Sequence, residues 1–145
     1  MKYIAKKYDS SLLGKDAAEM ARAEMLFAQV MDIKMKCTMP AYIAEKQGDE
    51  LKDHIAEEVQ PILEKLMENI QDSKWIAGES LTWLDFFLAE VIDYLEVILD
   101  QRFVAMIPAT HEYLEKFMEI EKVKAYYADA RCMLKPFNNK MAVLG

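Results

Sequence analysis

The sequence predicts an all-α bundle of about five to six helices within one domain, and three observations carry that prediction. Its 145 residues hold only four glycines and four prolines, too few punctuators for many short strands joined by tight turns. Hydrophobic residues make up 53%, enough to bury a sizeable core and too many for a disordered chain. The segment LTWLDF, residues 81–86, reads as a complete helix start. Thr82 can accept from the amide of Asp85, Asp85 can reach back to the amide of Thr82, and Leu81 and Phe86 take the two staple positions.

The elements follow in order. Residues 2–8 form a short helical stretch, after which Gly14 interrupts the pattern. Asp16 opens a long helix with Glu19 three residues on, the spacing of a capping box. That helix runs towards Pro40, which is expected to kink or end it. Gly48 sits in the next connection, and a third helix starts at or near Asp49 and reaches Ile70, bent at Pro61. Residues 69–78 read as a loop with Trp75 as apolar anchor. The helix begun at Thr82 ends near Asp100, and Phe87, Leu88, Val91, Ile92, Leu95 and Ile98 cover most of its circumference, which marks it as central. Pro108 suits the first turn of a helix to about residue 119, and a shorter helix spans about 121–131. The tail from 134 onward is irregular, and no repeat or low-complexity tract interrupts the chain.

Charge and composition exclude several classes. Lys and Arg number 18 against 25 Asp and Glu, a net charge of −7, which disfavours a nucleic-acid binder. The most apolar segment, WLDFFLAEVIDYLEVIL, carries Asp85, Glu90, Asp93 and Glu96 and is unsuited to crossing a membrane. The N-terminus lacks the apolar run of a signal peptide. Two cysteines, Cys37 and Cys132, suit a reducing compartment. The expectation is a cytoplasmic domain that engages neither nucleic acid nor membrane.

Catalytic constellations are sparse. A di-iron bundle needs two Glu-x-x-His pairs, but Leu51 precedes His54 and Pro108 precedes His111 at that spacing. Two cysteines and two scattered histidines make no conventional zinc site, so no metal is expected. The isolated glycines form no phosphate loop. A Cys–His nucleophile pair stays open from the residues alone, though inert structural cysteines are far commoner.

One face of the long second helix is more suggestive. At 100° per residue, Met31, Met35, Thr38, Met39 and Tyr42 fall within roughly 100° of one another. Beside them lies a seam of Ala23, Leu26, Val30, Cys37 and Ala41 that reads as core. A methionine stripe ending in a hydroxyl suits a pocket for varied hydrophobic ligands. Periodicity alone favours the plainer alternative, that the stripe is more core. Asp32 lies at its edge, where an acid is most often simply solvated.

Several segments together resemble one family. KYIAKKY with LLGKD, RAEMLFAQVMDIKM, Tyr42, KWIAGESLTWLDFFLAEVIDYL, KVKAYYADAR and KPFNNKMAV are similar, in order, to the C-terminal helical domain of cytosolic glutathione transferases, most like the mu class. The resemblance implies that residues 1–14 correspond to the end of a thioredoxin-like domain plus linker, and 15–145 to the helical domain. It implies that Met31, Met35, Asn138 and Asn139 line or close the pocket for a hydrophobic electrophile, and that the hydroxyl of Tyr42 assists additions to it. Asp32 would reach towards glutathione bound in the partner subunit, and Lys2, Lys6 and Glu24 would form a charged cluster at the two-fold of a homodimer. Glutathione is then a co-substrate, with no further cofactor. The thioredoxin-like part that holds glutathione and supplies the principal catalytic tyrosine would lie upstream of Met1. The chain by itself is therefore expected not to conjugate glutathione. The alternative is a non-catalytic helical interaction module.

Overall fold

Helix α4 (Trp83–Leu99) sits at the centre of the computed structural model, which describes residues 1–43, 46–129, 138 and 140–143. It follows α1 (Lys2–Tyr8), a 3-10 turn (Ser10–Leu13), α2 (Ala17–Ile43) and α3 (Gly48–Ile70). After it come α5 (Gln101–Met106), α6 (Pro108–Met118) and α7 (Glu121–Ala128), with no strand among the described residues. Helices α2, α3, α5 and α6 all pack on α4. Trp83, Leu88, Ala89, Tyr94 and Leu95 are buried on several of its sides, as expected of a helix apolar nearly all round. No helix among the described residues is long and apolar enough to cross a membrane.

The start of α4 is held by more than its own cap. Thr82 and Asp85 form the reciprocal capping box. Oδ2 of Asp85 accepts from the Thr82 amide at 2.6 Å and the Thr82 hydroxyl at 2.8 Å. Oδ1 accepts from the Ile76 amide at 2.9 Å and from the hydroxyl of Tyr113 on α6. One fully buried carboxylate thus joins the preceding loop, the start of α4 and α6. Burial pushes its pKa above the ordinary carboxyl value, against the pull of these donors. Burial, with the adjacent carboxylate, pushes the Tyr113 hydroxyl well up. The loop itself closes on a tight turn in which Trp75 and Gly78 exchange backbone hydrogen bonds of 2.7 and 3.1 Å. The Trp75 ring is buried with an edge-on contact to Tyr113, which makes it the anchor expected.

A second buried carboxylate, Glu19, departs from the simple cap. The Asp16 side chain accepts from the Glu19 amide at 2.9 Å, one half of a capping box. The Glu19 side chain instead accepts from the Lys15 amide at 2.9 Å and from the amides of Glu79 and Ser80 at 2.9 and 3.2 Å. The Lys15 ammonium lies 3.3 Å away. Burial opposes ionisation here, but these donors outweigh it and hold the carboxyl at about 2. Gly78 is required beside it: at φ +147° a Cβ would stand 2.8 Å from Glu19 Oε1.

Some element bounds differ from those expected. Pro40 does not end α2, which continues to Ile43. Ala41 is fully buried and its carbonyl accepts from the Val143 amide at 2.8 Å, so tertiary contacts hold the turn that proline weakens. Pro61 lies inside α3, as its place in the pattern predicts. The stretch after Asp100, read as a connection, contains α5. Asp100 takes φ +58°, one of the few non-glycine types to do so, and its carboxylate is 2.6 Å from Lys52 on α3. Buried Phe103 then anchors α5, and Arg102 reaches Asp49 and Asp53 on α3. This raises the helices to seven among the described residues, and α7 stops at Ala128, short of residue 131.

Candidate functional site

Helix α2 presents two unlike faces. Ala23, Val30, Ile33, Cys37 and Ala41 are fully buried, and Leu26 nearly so. Met31, Met35, Met39 and Tyr42 are each between 36% and 45% exposed, so the stripe is surface and not the extra core that periodicity favoured. Between the two faces, the Thr38 hydroxyl donates back to the Lys34 carbonyl at 2.8 Å. The Cys37 thiol points into the seam, donating to the Ile33 carbonyl at 2.6 Å, and burial pushes it up to about 12. A thiol so placed is not a nucleophile.

The end of the stripe is where chain segments distant in sequence meet. The Tyr42 hydroxyl donates to Asn138 Oδ1 at 3.3 Å, and Asn138 Nδ2 donates to the Tyr94 hydroxyl of α4 at 2.8 Å. Asn138 and Tyr94 are buried, and burial pushes the Tyr94 hydroxyl above its ordinary value. Next to this bridge, Lys34, Thr38, Glu90, Val91, Tyr94 and Asn138 line a recess of about 90 Å3. At its mouth the Lys34 ammonium lies 2.7 Å from Glu90 and 5.1 Å from the centroid of the Phe87 ring. Sequence reading passed over Lys34, Glu90 and Tyr94. The available signal was the one tyrosine of α4 among residues assigned to core.

The other candidates are dispersed. Asp32 is exposed on the turn next to Met31, and Asn139 lies outside the described residues. Lys2 and Glu24 do meet, at 2.8 Å, and the Lys2 ammonium stands 5.5 Å from the Trp83 ring centroid. Lys6 is exposed on the same short helix. His111 bridges Glu96 at 2.8 Å and Glu115 at 3.6 Å; the bond to Glu96 raises its pKa, against a smaller effect of burial. No group of three or more His, Cys, Asp or Glu able to hold a metal occurs among the described residues.

The arrangement is that of a helical domain with an accessible apolar stripe and a small polar recess at its end. The glutathione S-transferase C-terminal domain family matches residues 31–130, and the chain belongs to that family. The curated relatives it matches include mu-class glutathione S-transferases. Glutathione S-transferase Mu 1 of Homo sapiens is 32% identical over 143 residues, covering 99% of this chain and 63% of that protein. Glutathione S-transferase Mu 1 of Bos taurus is 28% identical over 145 residues, covering 100% and 64%. The chain therefore spans less than two thirds of these relatives. The crystal structure of the glutathione S-transferase Blo t 8 superposes with a TM-score of 0.82 at 21% identity, covering 99% of this chain and 67% of that one, and shares the fold.

Proposed function

We propose that this chain supplies the hydrophobic-substrate side of a mu-class-like glutathione transferase. Met31, Met35 and Tyr42, with Asn138, would receive the electrophile, and a glutathione-binding thioredoxin-like unit would supply the thiolate. The observation that carries this reading is the exposed methionine stripe ending at the Tyr42–Asn138–Tyr94 bridge. Exposed methionines form adaptable apolar surface, which suits electrophiles of varied shape. Asn139 would join the same rim. Asp32 is free to reach outward to glutathione in a partner subunit, and the Lys2–Glu24 pair with Lys6 would form the dimer contact in a cytoplasmic homodimer. Lysine lacks the bidentate fork of arginine, so that contact is expected to be modest.

Conjugation needs a thiolate, and neither candidate group here stabilises one: Tyr42 faces the electrophile side, and Asp32 would repel a thiolate. A net charge of −7 does not attract anionic glutathione. The purified chain is expected to bind apolar aromatic compounds weakly at the stripe and to leave the conjugation of a chromogenic aryl halide at its background rate. Titration followed on the methionine methyl resonances tests the first part. Shifts at Met31, Met35 and Met39 support the reading; shifts confined to Met20 and Met118 count against it. Turnover that saturates with glutathione and disappears in Tyr42→Phe would show that the domain has its own thiol site.

A different class of function, a helical interaction module, is favoured by one observation. Tyr3, Ile4 and Tyr8 of α1 are 75%, 60% and 74% exposed, an apolar edge suited to another protein surface. A chain whose aromatic ligands leave the stripe unmoved, while Tyr3 or Tyr8 substitution abolishes association with a partner, would fit that reading instead.

A further inference from the structure

The recess between α2 and α4 has the size and lining of a selectivity element. Its volume of about 90 Å3 is well above the roughly 10–15 Å3 that one water needs, yet far below the roughly 300–1,000 Å3 of a whole ligand pocket. It has room for a compact group at one end of a ligand. Lys34 and Thr38 on its α2 wall belong to the i, i+4, i+8 row that ends at Tyr42, so the recess adjoins the stripe at Thr38.

Two features decide what that group is. The Asn138 side chain is fixed in orientation, because Tyr42 donates to its oxygen while its nitrogen donates to Tyr94. Lys34 and Glu90 stand at the mouth with side chains 31% and 50% exposed. Ion pairs at such exposure contribute little, so the ammonium is readily turned from Glu90 onto a ligand oxygen. Glu90 remains beside it, and its charge opposes an anionic head group while leaving a neutral one unopposed.

We propose that Lys34, Tyr94 and Asn138 make this recess select apolar ligands that carry a compact neutral hydrogen-bond acceptor, such as a ketone oxygen. Lys34 is the donor, and Tyr94 and Asn138 form the inner wall. This rests on reading the stripe as the ligand surface. The test uses the full chain with isotope-labelled methionine methyls and three ligands sharing one aromatic body: acetylnaphthalene, ethylnaphthalene and naphthoate. The ketone is expected to bind on the order of tenfold more tightly than the ethyl compound, as a hydrogen bond to a charged donor would give. Naphthoate is expected to gain no such advantage. Lys34→Met is expected to erase the preference for the ketone, and Glu90→Gln to strengthen binding of naphthoate. Both positions are partly exposed, so folding is retained. Equal affinities for all three ligands, with shifts at Met31 and Met35, would overturn the selectivity and leave the stripe as a ligand surface. A preference that survives Lys34→Met would overturn the assignment of the donor, and tightest binding of naphthoate would overturn the neutral acceptor. Stripe resonances unmoved by any ligand would overturn both readings.

Discussion

Asp85 and Glu19 are buried carboxylates that hold the same loop, and their surroundings move their acidities in opposite directions. Asp85 is fully buried and accepts two amide and two hydroxyl hydrogen bonds, with no ion pair among the described residues; burial wins and its value rises. Glu19 accepts three amide bonds and has the Lys15 ammonium at 3.3 Å; the donors win and its value falls to about 2. Counting hydrogen bonds therefore does not predict the direction. What differs is the depth of burial and whether a cation contributes.

The largest effect is expected at Asp85. Asp85→Ala would leave the Ile76 and Thr82 amides and the Tyr113 hydroxyl without their acceptor, at a cost of about 3–4 kcal/mol. Urea melts read this directly, and a midpoint close to that of the parent would show that water replaces the carboxylate. For Glu19→Gln the expected loss is about 1–3 kcal/mol at neutral pH. Its pH dependence sharpens the contrast. The folded value of Glu19 lies below its ordinary 4.5, so its contribution is complete above that pH and fades as pH falls towards about 2. The gap between parent and Glu19→Gln should close over that window. Asp85 has the opposite sign: its folded value lies above 3.8, so the parent loses stability relative to Asp85→Asn as pH rises through the folded value. Parallel curves for the two variants would break the comparison.

Thr82→Ala is expected to cost about 0.5–2 kcal/mol, less than Asp85→Ala, because Asp85 keeps its bonds to Ile76 and Tyr113. The smallest effect belongs to His111. Its folded value is raised above 6.5, so the bridge to Glu96 contributes below that pH and is lost as pH rises through the folded value. A shallow decline in stability across that range should be present in the parent and absent from His111→Gln.

What was legible in the sequence follows the range of each interaction. The Thr82–Asp85 cap spans four residues, and its residue types specify it fully. Glu19 was legible only in part: its amide bond to Asp16 is local, but its side chain serves residues sixty positions away. That α2 runs past Pro40 was not legible locally, because a contact at its end comes from Val143. Helix α5 was missed because a single left-handed residue, Asp100, separates it from α4, and aspartate signals that conformation only weakly. At the candidate site, the stripe on α2 could be laid out from spacing alone. The recess could not, since Asn138 must arrive from the tail before Tyr94 and Tyr42 share a partner.

The buried thiol of Cys37 has a practical consequence. It sits in the seam that α2 packs inward, and burial pushes it up to about 12, so alkylating reagents reach its thiolate only when that helix lifts away. In a chain carrying Cys132→Ser, the rate of thiol modification would serve as a clock for local opening of α2, separate from global unfolding. Saturating the stripe on the same helix with an aromatic ligand should slow that clock, which would time how firmly an occupied ligand face holds the opposite, core-facing side in place.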